Sequence, residues 1–294
     1  MRSSLVCLVA AAAIAAARPA APRSKPTYFF TFGDSYSQTN FNVNGTQPSA
    51  SNPMGNPTLG TGTTGNGINW IGYLTTADNA SLVLNYNLAV GGATISNNLV
   101  PVPYEDMTSQ VAKFESSYSS KPASAPWSSE DSVFGFWIGI NDCGNAFWQN
   151  ESSVLVPKLM TQYESLVLDI YANGGRKFLF VNVPPTDRSP YFIDQGTETT
   201  TQLAAWIKAY NEGIKTMITT LKSKHKDVTT VVYDANTFMG KVLDNPKEYG
   251  FPHDSCIDAD GTSCVWWNNY HPGTKYHQLQ AADMKSHLSS LGAW

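Results

Sequence analysis

Charge is scarce in this chain. Asp, Glu, Lys and Arg together make up 14% of its 294 residues, and the formal balance is −4. No tract is dense in Lys or Arg, which argues against a nucleic-acid partner, since phosphates call for clustered cations. Beyond the first residues there is no apolar run of the roughly 20 residues that a membrane span needs, so stable insertion is not expected. Cysteine is sparse as well, with 4 residues, and one of them, Cys7, falls in a segment that leaves the mature protein.

That segment reads as an export signal. Arg2 supplies the positive start, Leu5 to Ala17 is an alanine-rich apolar run, and Ala15 and Ala17 fit the small-residue rule for cleavage after Ala17. A membrane anchor would have to be longer, and Arg18-Pro19 ends the run early. Residues 1–17 are therefore read as a signal peptide, 18–26 as a short linker and 27–294 as a single domain of a secreted, extracellular protein. In an oxidising compartment Cys256 and Cys264, close together in a polar segment, are expected to pair. Cys143 is left over as a free, partly buried thiol. Asn44, Asn79 and Asn150 begin Asn-X-Ser/Thr sequons and are glycan acceptors in a eukaryotic host.

Aromatics are plentiful at 12%, with 8 Trp. Such a composition suits sugars or apolar acyl groups better than charged ligands, although Trp is more often core. Short apolar runs at Thr27 to Phe32, Leu82 to Leu88, Ser132 to Ile138, Lys177 to Val183 and Thr229 to Tyr233 read as strands, several of them apolar throughout, as in parallel sheets covered on both faces. Ser152 to Asn173 reads as a helix stopped at Gly174-Gly175. Thr197 to His225 is a second, with Leu203, Trp206, Ile207, Tyr210, Ile214, Met217, Ile218 and Leu221 at helical spacing. Pro272 is expected to open a last helix, with Leu279, Ala282, Met284 and Leu288 as its apolar positions. This alternation predicts a doubly wound α/β sandwich with its site beyond the carboxyl ends of the strands. Phe41 to Asn69, rich in Gly, Asn, Thr and Pro, reads as a long surface loop near that site.

Four blocks carry the chemistry. Gly33-Asp34-Ser35 follows the first strand, so a serine sits where a nucleophile needs to be. Asn87 to Thr94 closes the second strand with Gly91-Gly92, whose backbone N–H groups suit a negative oxygen. Gly139-Ile140-Asn141-Asp142 ends the third strand and offers a neutral amide donor; its plainer reading is a helix cap. Asn268-Asn269-Tyr270-His271-Pro272 places a histidine just before a helix, whose positive end disfavours imidazolium. His225, His277 and His287 have no supporting motif and read as structural, and His253 has none either.

In this order and at strand ends, the blocks resemble those of the SGNH (GDSL-type) hydrolase superfamily over residues 27 to 290. The resemblance implies a flavodoxin-like three-layer α/β/α sandwich on a five-stranded parallel sheet, with no metal or organic cofactor. It makes Ser35 the nucleophile, His271 the base, and Gly92 and Asn141 the oxyanion donors beside the Ser35 N–H. More narrowly, Asn69-Trp70, Trp267-Asn268, the stretch from Val231-Tyr233-Asp234 to Tyr249-Gly250-Phe251 and the Cys256/Cys264 loop look like fungal secreted acetylesterases of carbohydrate esterase family sixteen. Such enzymes deacetylate hemicellulose oligosaccharides, which makes Trp70, Trp137, Trp148, Trp266 and Tyr270 candidates for a sugar-stacking wall. One position departs from the pattern. The usual Asp three residues before the histidine is Asn268 here, which can orient the ring but adds no charge; Asp254, Asp258 or Asp260 are the alternatives. The expected protein is a monomeric short-chain esterase acting on a small ester or an acetylated oligosaccharide. The rival readings are a lipid acyl hydrolase and a carbohydrate-binding protein on an inactive esterase fold.

Overall fold

Five short runs rich in Phe, Val and Tyr pair side by side as parallel strands: β1 (Thr27–Gly33), β2 (Val83–Asn87), β3 (Ser132–Trp137), β4 (Lys177–Val181) and β5 (Thr229–Tyr233). Their order is β2-β1-β3-β4-β5, the flavodoxin-like arrangement, whose crevice lies where the chain reverses beside β1. The computed structural model describes residues 25–294. The expected signal peptide and most of the linker lie outside the described residues.

Register explains where much of the aromatic content goes. Phe30 pairs with Phe134 and Phe134 with Phe178; one step along, Phe32 pairs with Phe136 and Phe136 with Phe180. In-register rings lie 5.0–6.0 Å apart across the sheet, a separation favourable for aromatic pairs. Phe114 and Tyr163 close over this ladder edge-on. Because strand side chains alternate between faces, Phe29 points the other way, onto Trp70 and Trp294.

The helices are α1 (Trp70–Thr76), α2 (Met107–Tyr118), α3 (Ile140–Ala146), α4 (Ser152–Ala172), α5 (Pro190–Ile193), α6 (Thr197–Lys224), α7 (Ala235–Asp244) and α8 (Thr274–Lys285). Phe114 belongs to α2 and Tyr163 to α4, and α4 packs on both α2 and α6. On the opposite face α1 packs against α8. The eight apolar residues expected at helical spacing on α6 are all buried.

The last helix departs from the expectation. Pro272 does not open it: Pro272 still forms an antiparallel bridge with Trp266, Gly273 is the cap residue and Thr274 is the first helical residue. Its buried face is only partly the one anticipated: Met284 and Leu288 are buried, but Ala282 is exposed and Leu279 half-buried, while Tyr276, His277, Gln280 and Ala281 also face inward. Polar residues on that face hid its period. The 41–69 segment is irregular, as read, but it is not merely superficial. Thr64 Oγ1 donates to the Ser35 carbonyl at 2.6 Å, and the Gly65 carbonyl accepts from the Thr274 N–H at 2.8 Å. The loop thus ties the serine turn to the start of α8.

Candidate active site

β1 ends at Gly33, whose backbone is held on both sides by one buried amide from α2: Gln110 Oε1 accepts its N–H at 2.9 Å and Gln110 Nε2 donates to its carbonyl at 2.8 Å. The chain then turns sharply, with Ser37 and Gln38 donating back to the Asp34 carbonyl. Two asparagine amides brace the turn from outside. Asn69 Nδ2 donates to the carbonyls of Ser37 and Gln38, and Asn87 Nδ2 to that of Ser37. Ser35 is held at the top of this turn, 7% exposed.

His271 reaches it from the far end of the chain. Its Nε2 lies 2.8 Å from Ser35 Oγ, and its Nδ1 lies 3.2 Å from Asn268 Oδ1. Which end of the Asn268 amide faces the ring follows from its other partners. The backbone N–H groups of Tyr270 and His271 donate to the same atom at 2.8 and 2.7 Å, and only the oxygen can accept them. Its third neighbour, Nδ1, must then carry a hydrogen, which leaves Nε2 free to accept the serine proton. Burial pulls the His271 pKa down to about 4, because the charged ring is poorly solvated there. The helix end has little part in this, since α8 starts three residues later. Asp254, Asp258 and Asp260 make no hydrogen bond to the imidazole. Asp258 and Asp260 instead accept from backbone N–H groups of their own loop, and Asp254 is exposed.

The glycine block docks against the serine turn. Val90 donates to the Gly33 carbonyl at 3.1 Å, and Gly91 donates to Gln38 Oε1 at 2.5 Å. Gln38, which no motif flagged, thereby takes up the Gly91 N–H. The N–H groups of Ser35 and Gly92 donate to no acceptor within the described residues. Gly92 sits at φ +80°, and a Cβ there would stand 2.2 Å from a Tyr104 ring carbon, so both backbone and packing demand glycine. α3 locks this loop in place. Asn141 Nδ2 donates to the Ala93 carbonyl at 2.9 Å, and the buried Asp142 carboxyl accepts the Ile95 N–H. Neither side chain caps the helix; its cap residue is Gly139. One N–H of the Asn141 amide stays available beside the free backbone donors, which is the donor set that a developing oxyanion requires.

The loop carrying His271 is fixed by the Cys256–Cys264 disulfide, whose Cα atoms are 5.1 Å apart. Trp266 donates its backbone N–H to the Cys256 carbonyl and its indole N–H to that of Asp254, so the indole is an anchor within the core. Trp70 and Trp137 are also fully buried. These three are therefore not a sugar-stacking wall, because strand and loop packing consumed them. Trp148 is 64% exposed but does not line the cleft. Tyr270 does. A cavity of about 300 Å³ opens beside Asn141, walled by Tyr191 and Phe192 of α5 and by Asn269 and Tyr270. α5 is pinned there by Tyr191 N–H donating to the Asn269 carbonyl at 2.8 Å. The α5 aromatics carried no periodic signal in the sequence, since a one-turn helix shows none.

Cys143 is free and fully buried, and burial raises its thiol pKa. Asn44 and Asn150 are exposed, while Asn79 is half-buried with its amide donating to the Thr75 carbonyl. No cluster of three or more His, Cys, Asp or Glu fit to hold a metal occurs among the described residues, and no described helix is long and apolar enough to cross a membrane.

The model of the GDSL-like lipase/acylhydrolase family matches residues 29–284, taking in all four blocks. The chain belongs to that family. It is accordingly a carboxylic ester hydrolase, and the sandwich described above is the fold of GDSL esterases. The chain is 39% identical over 287 residues to an acetylesterase of Thermothelomyces thermophilus, covering 96% of this chain and 95% of that one. A second acetylesterase, from Hypocrea jecorina, is 24% identical and covers 85% of each. Among solved structures, an acetylxylan esterase variant from Geobacillus stearothermophilus superposes with a TM-score of 0.52 at 13% identity, over 90% of this chain and 94% of that one. At that identity the likeness speaks for the GDSL fold alone.

Proposed function

We propose that this GDSL hydrolase is a secreted acetylesterase that acts on hemicellulose-derived oligosaccharides through a Ser35 acyl-enzyme. The observation that carries the reading is the Ser35–His271 contact of 2.8 Å together with the ring tautomer imposed by Asn268. His271 Nε2 takes the Ser35 hydroxyl proton as Oγ adds to the ester carbonyl. The resulting oxyanion is received by the N–H groups of Ser35 and Gly92 and by the Asn141 amide. His271 then gives its proton to the departing alcohol. In the second half, water loses a proton to His271 and attacks the acyl-enzyme, and collapse of that intermediate frees acetate and Ser35. The acetyl preference is supported by the two acetylesterase relatives. Secretion is supported by the disulfide and by the leader read in the sequence, with the domain taken as residues 27–294.

The test is Ser35→Ala assayed on a simple acetyl ester, alongside fluorophosphonate labelling of the wild type. Turnover should fall to the residual level of a site without its nucleophile, and label should add once, at Ser35. A folded Ser35→Ala variant with near-normal turnover would end the serine-esterase reading. Rates on acetylated xylo-oligosaccharides, aryl esters of rising chain length and phospholipid then separate an acetylesterase from a lipid hydrolase.

A further inference from the structure

We infer that the cavity between α3, α5 and the histidine loop is the subsite for the alcohol half of the ester, and that it holds one pyranose ring against the face of Tyr191. This rests on the acetylesterase reading and goes on to assign which group each side of the oxyanion site receives.

Size argues first. The cavity holds about 300 Å³, whereas an acetyl methyl fills about the room of one water, roughly 30 Å³. An acyl group that small leaves nearly all of the space empty. The volume lies at the lower end for small-molecule sites, about 300–1,000 Å³, which suits a single sugar ring. Continuity argues second. Asn141, one of the proposed oxyanion donors, also lines this cavity, so the cavity opens next to the carbonyl bound there. On the other flank the ring of Tyr104 lies against Gly92.

The lining selects a neutral polyol. Among the described residues no Lys, Arg, Asp or Glu borders the cavity, so none of them is there to recognise a phosphate or a charged head group. Tyr191 is 47% exposed yet held in place, edge-on to Phe192 at 5.0 Å and to Tyr270 at 5.7 Å. A fixed, half-open ring of this kind offers a face to the C–H side of a sugar. Amides flank it for the hydroxyls. Asn145 donates one N–H to the Asn141 carbonyl and keeps its oxygen free, and the exposed Asn269 side chain makes no hydrogen bond within the described residues.

The experiment measures the ratio of kcat/KM on an acetylated xylo-oligosaccharide to that on ethyl acetate, whose alcohol is too small to fill the cavity. The wild type should favour the sugar ester. Tyr191→Ala should lower the ratio about 10-fold, chiefly through KM of the sugar ester, as expected when ground-state binding is removed. Tyr191→Phe, which keeps the ring, should stay within about 2-fold of wild type. An unchanged ratio in Tyr191→Ala, or a wild type with no preference for the sugar ester, overturns the subsite. A wild type that hydrolyses neither ester would overturn the esterase reading itself.

Discussion

Asn268 Oδ1 collects two backbone N–H groups and the His271 ring nitrogen, and so sets the tautomer without carrying charge. A carboxylate at the same place could receive the same three donors, because no hydrogen bond from Asn268 Nδ2 to another described residue would be lost. Asn268→Asp should therefore raise kcat by roughly 10-fold, about 1.4 kcal/mol of barrier, by stabilising the imidazolium formed in the transition state. It should also alter the pH profile. With the His271 pKa lowered to about 4 by burial, the base stays neutral well into acid, and kcat/KM of the wild type should hold down to about that pH. An added negative charge favours the protonated ring, so the acid limb of the variant should move to higher pH. Paired pH profiles on one acetyl ester decide it, and superimposable acid limbs would mean that the residue 268 side chain does not govern the imidazole. Asn141→Ala should cost about 10²–10³-fold in kcat with little change in KM, if its amide acts mainly on the oxyanion. A loss confined to KM would move Asn141 to substrate binding.

At the scale of elements, the disulfide loop and the serine turn are both short segments made rigid from outside. The Cys256–Cys264 bridge holds the carbonyl that receives the Trp266 N–H; Trp266 bridges to Pro272, and His271 is fixed just before it. Closing a loop of this length contributes on the order of 2–3 kcal/mol by chain entropy. Replacing both cysteines with serine should lower the melting temperature and also depress kcat, since the base loses its support. Unreduced peptide mapping should find Cys256 joined to Cys264. Two free thiols there, or either one bridged to Cys143, would refute the arrangement. The inner strands β1, β3 and β4 were legible because residues covered on both faces leave a nearly continuous apolar run, and β5, only partly buried at the sheet edge, by its β-branched and aromatic residues. α1, α3 and α5 were not, because helices of one or two turns show no period; α2 and α7 run longer but were likewise not read as helices.

For the molecule as a whole, four groups buried around the active centre govern how stability varies with pH. Burial raises Asp34 to about 8 and Asp142 to about 7, and lowers His271 to about 4 and His277 to about 3. A carboxyl whose folded pKa is raised contributes stability at low pH and loses it as pH climbs through the folded value. A histidine whose folded pKa is depressed contributes above about 6.5 and loses it as pH falls. Between about pH 4 and 6.5 the two pairs oppose each other and stability should be nearly flat. From 6.5 to 8 only the carboxyls act, and stability should decline by on the order of 2–3 kcal/mol, or about 5–10 °C in melting temperature. Asp34 carries most of that interval, and its Oδ2 has no hydrogen-bond partner. Asp34→Asn should flatten the decline above pH 6.5, as read by thermal melts at pH 6 and pH 8.5. Parallel melting curves for the two proteins would show that Asp34 is not the group responsible.

Order along the chain was sufficient to name Ser35, Gly92, Asn141 and His271 as candidates, because each sits in a short local block of suitable residue types, the first three just after strands. The parallel sandwich was readable for the same reason. Contacts made across the fold were not. Gln38 and Gln110 look like any surface glutamine until the turn brings one to Gly91 and the other to Gly33. Trp70, Trp137 and Trp266 passed as binding-site candidates because composition cannot tell an indole facing a sugar from one facing the sheet. Tyr104 and Tyr191 lie in segments with no periodicity; only the folding back of one loop placed Tyr104 over Gly92, and only the meeting of distant segments placed Tyr191 on the wall beside Asn141. Which end of the Asn268 amide meets His271 depends on two backbone N–H groups that converge on one oxygen, a matter of three-dimensional hydrogen bonding that spacing along a chain does not encode.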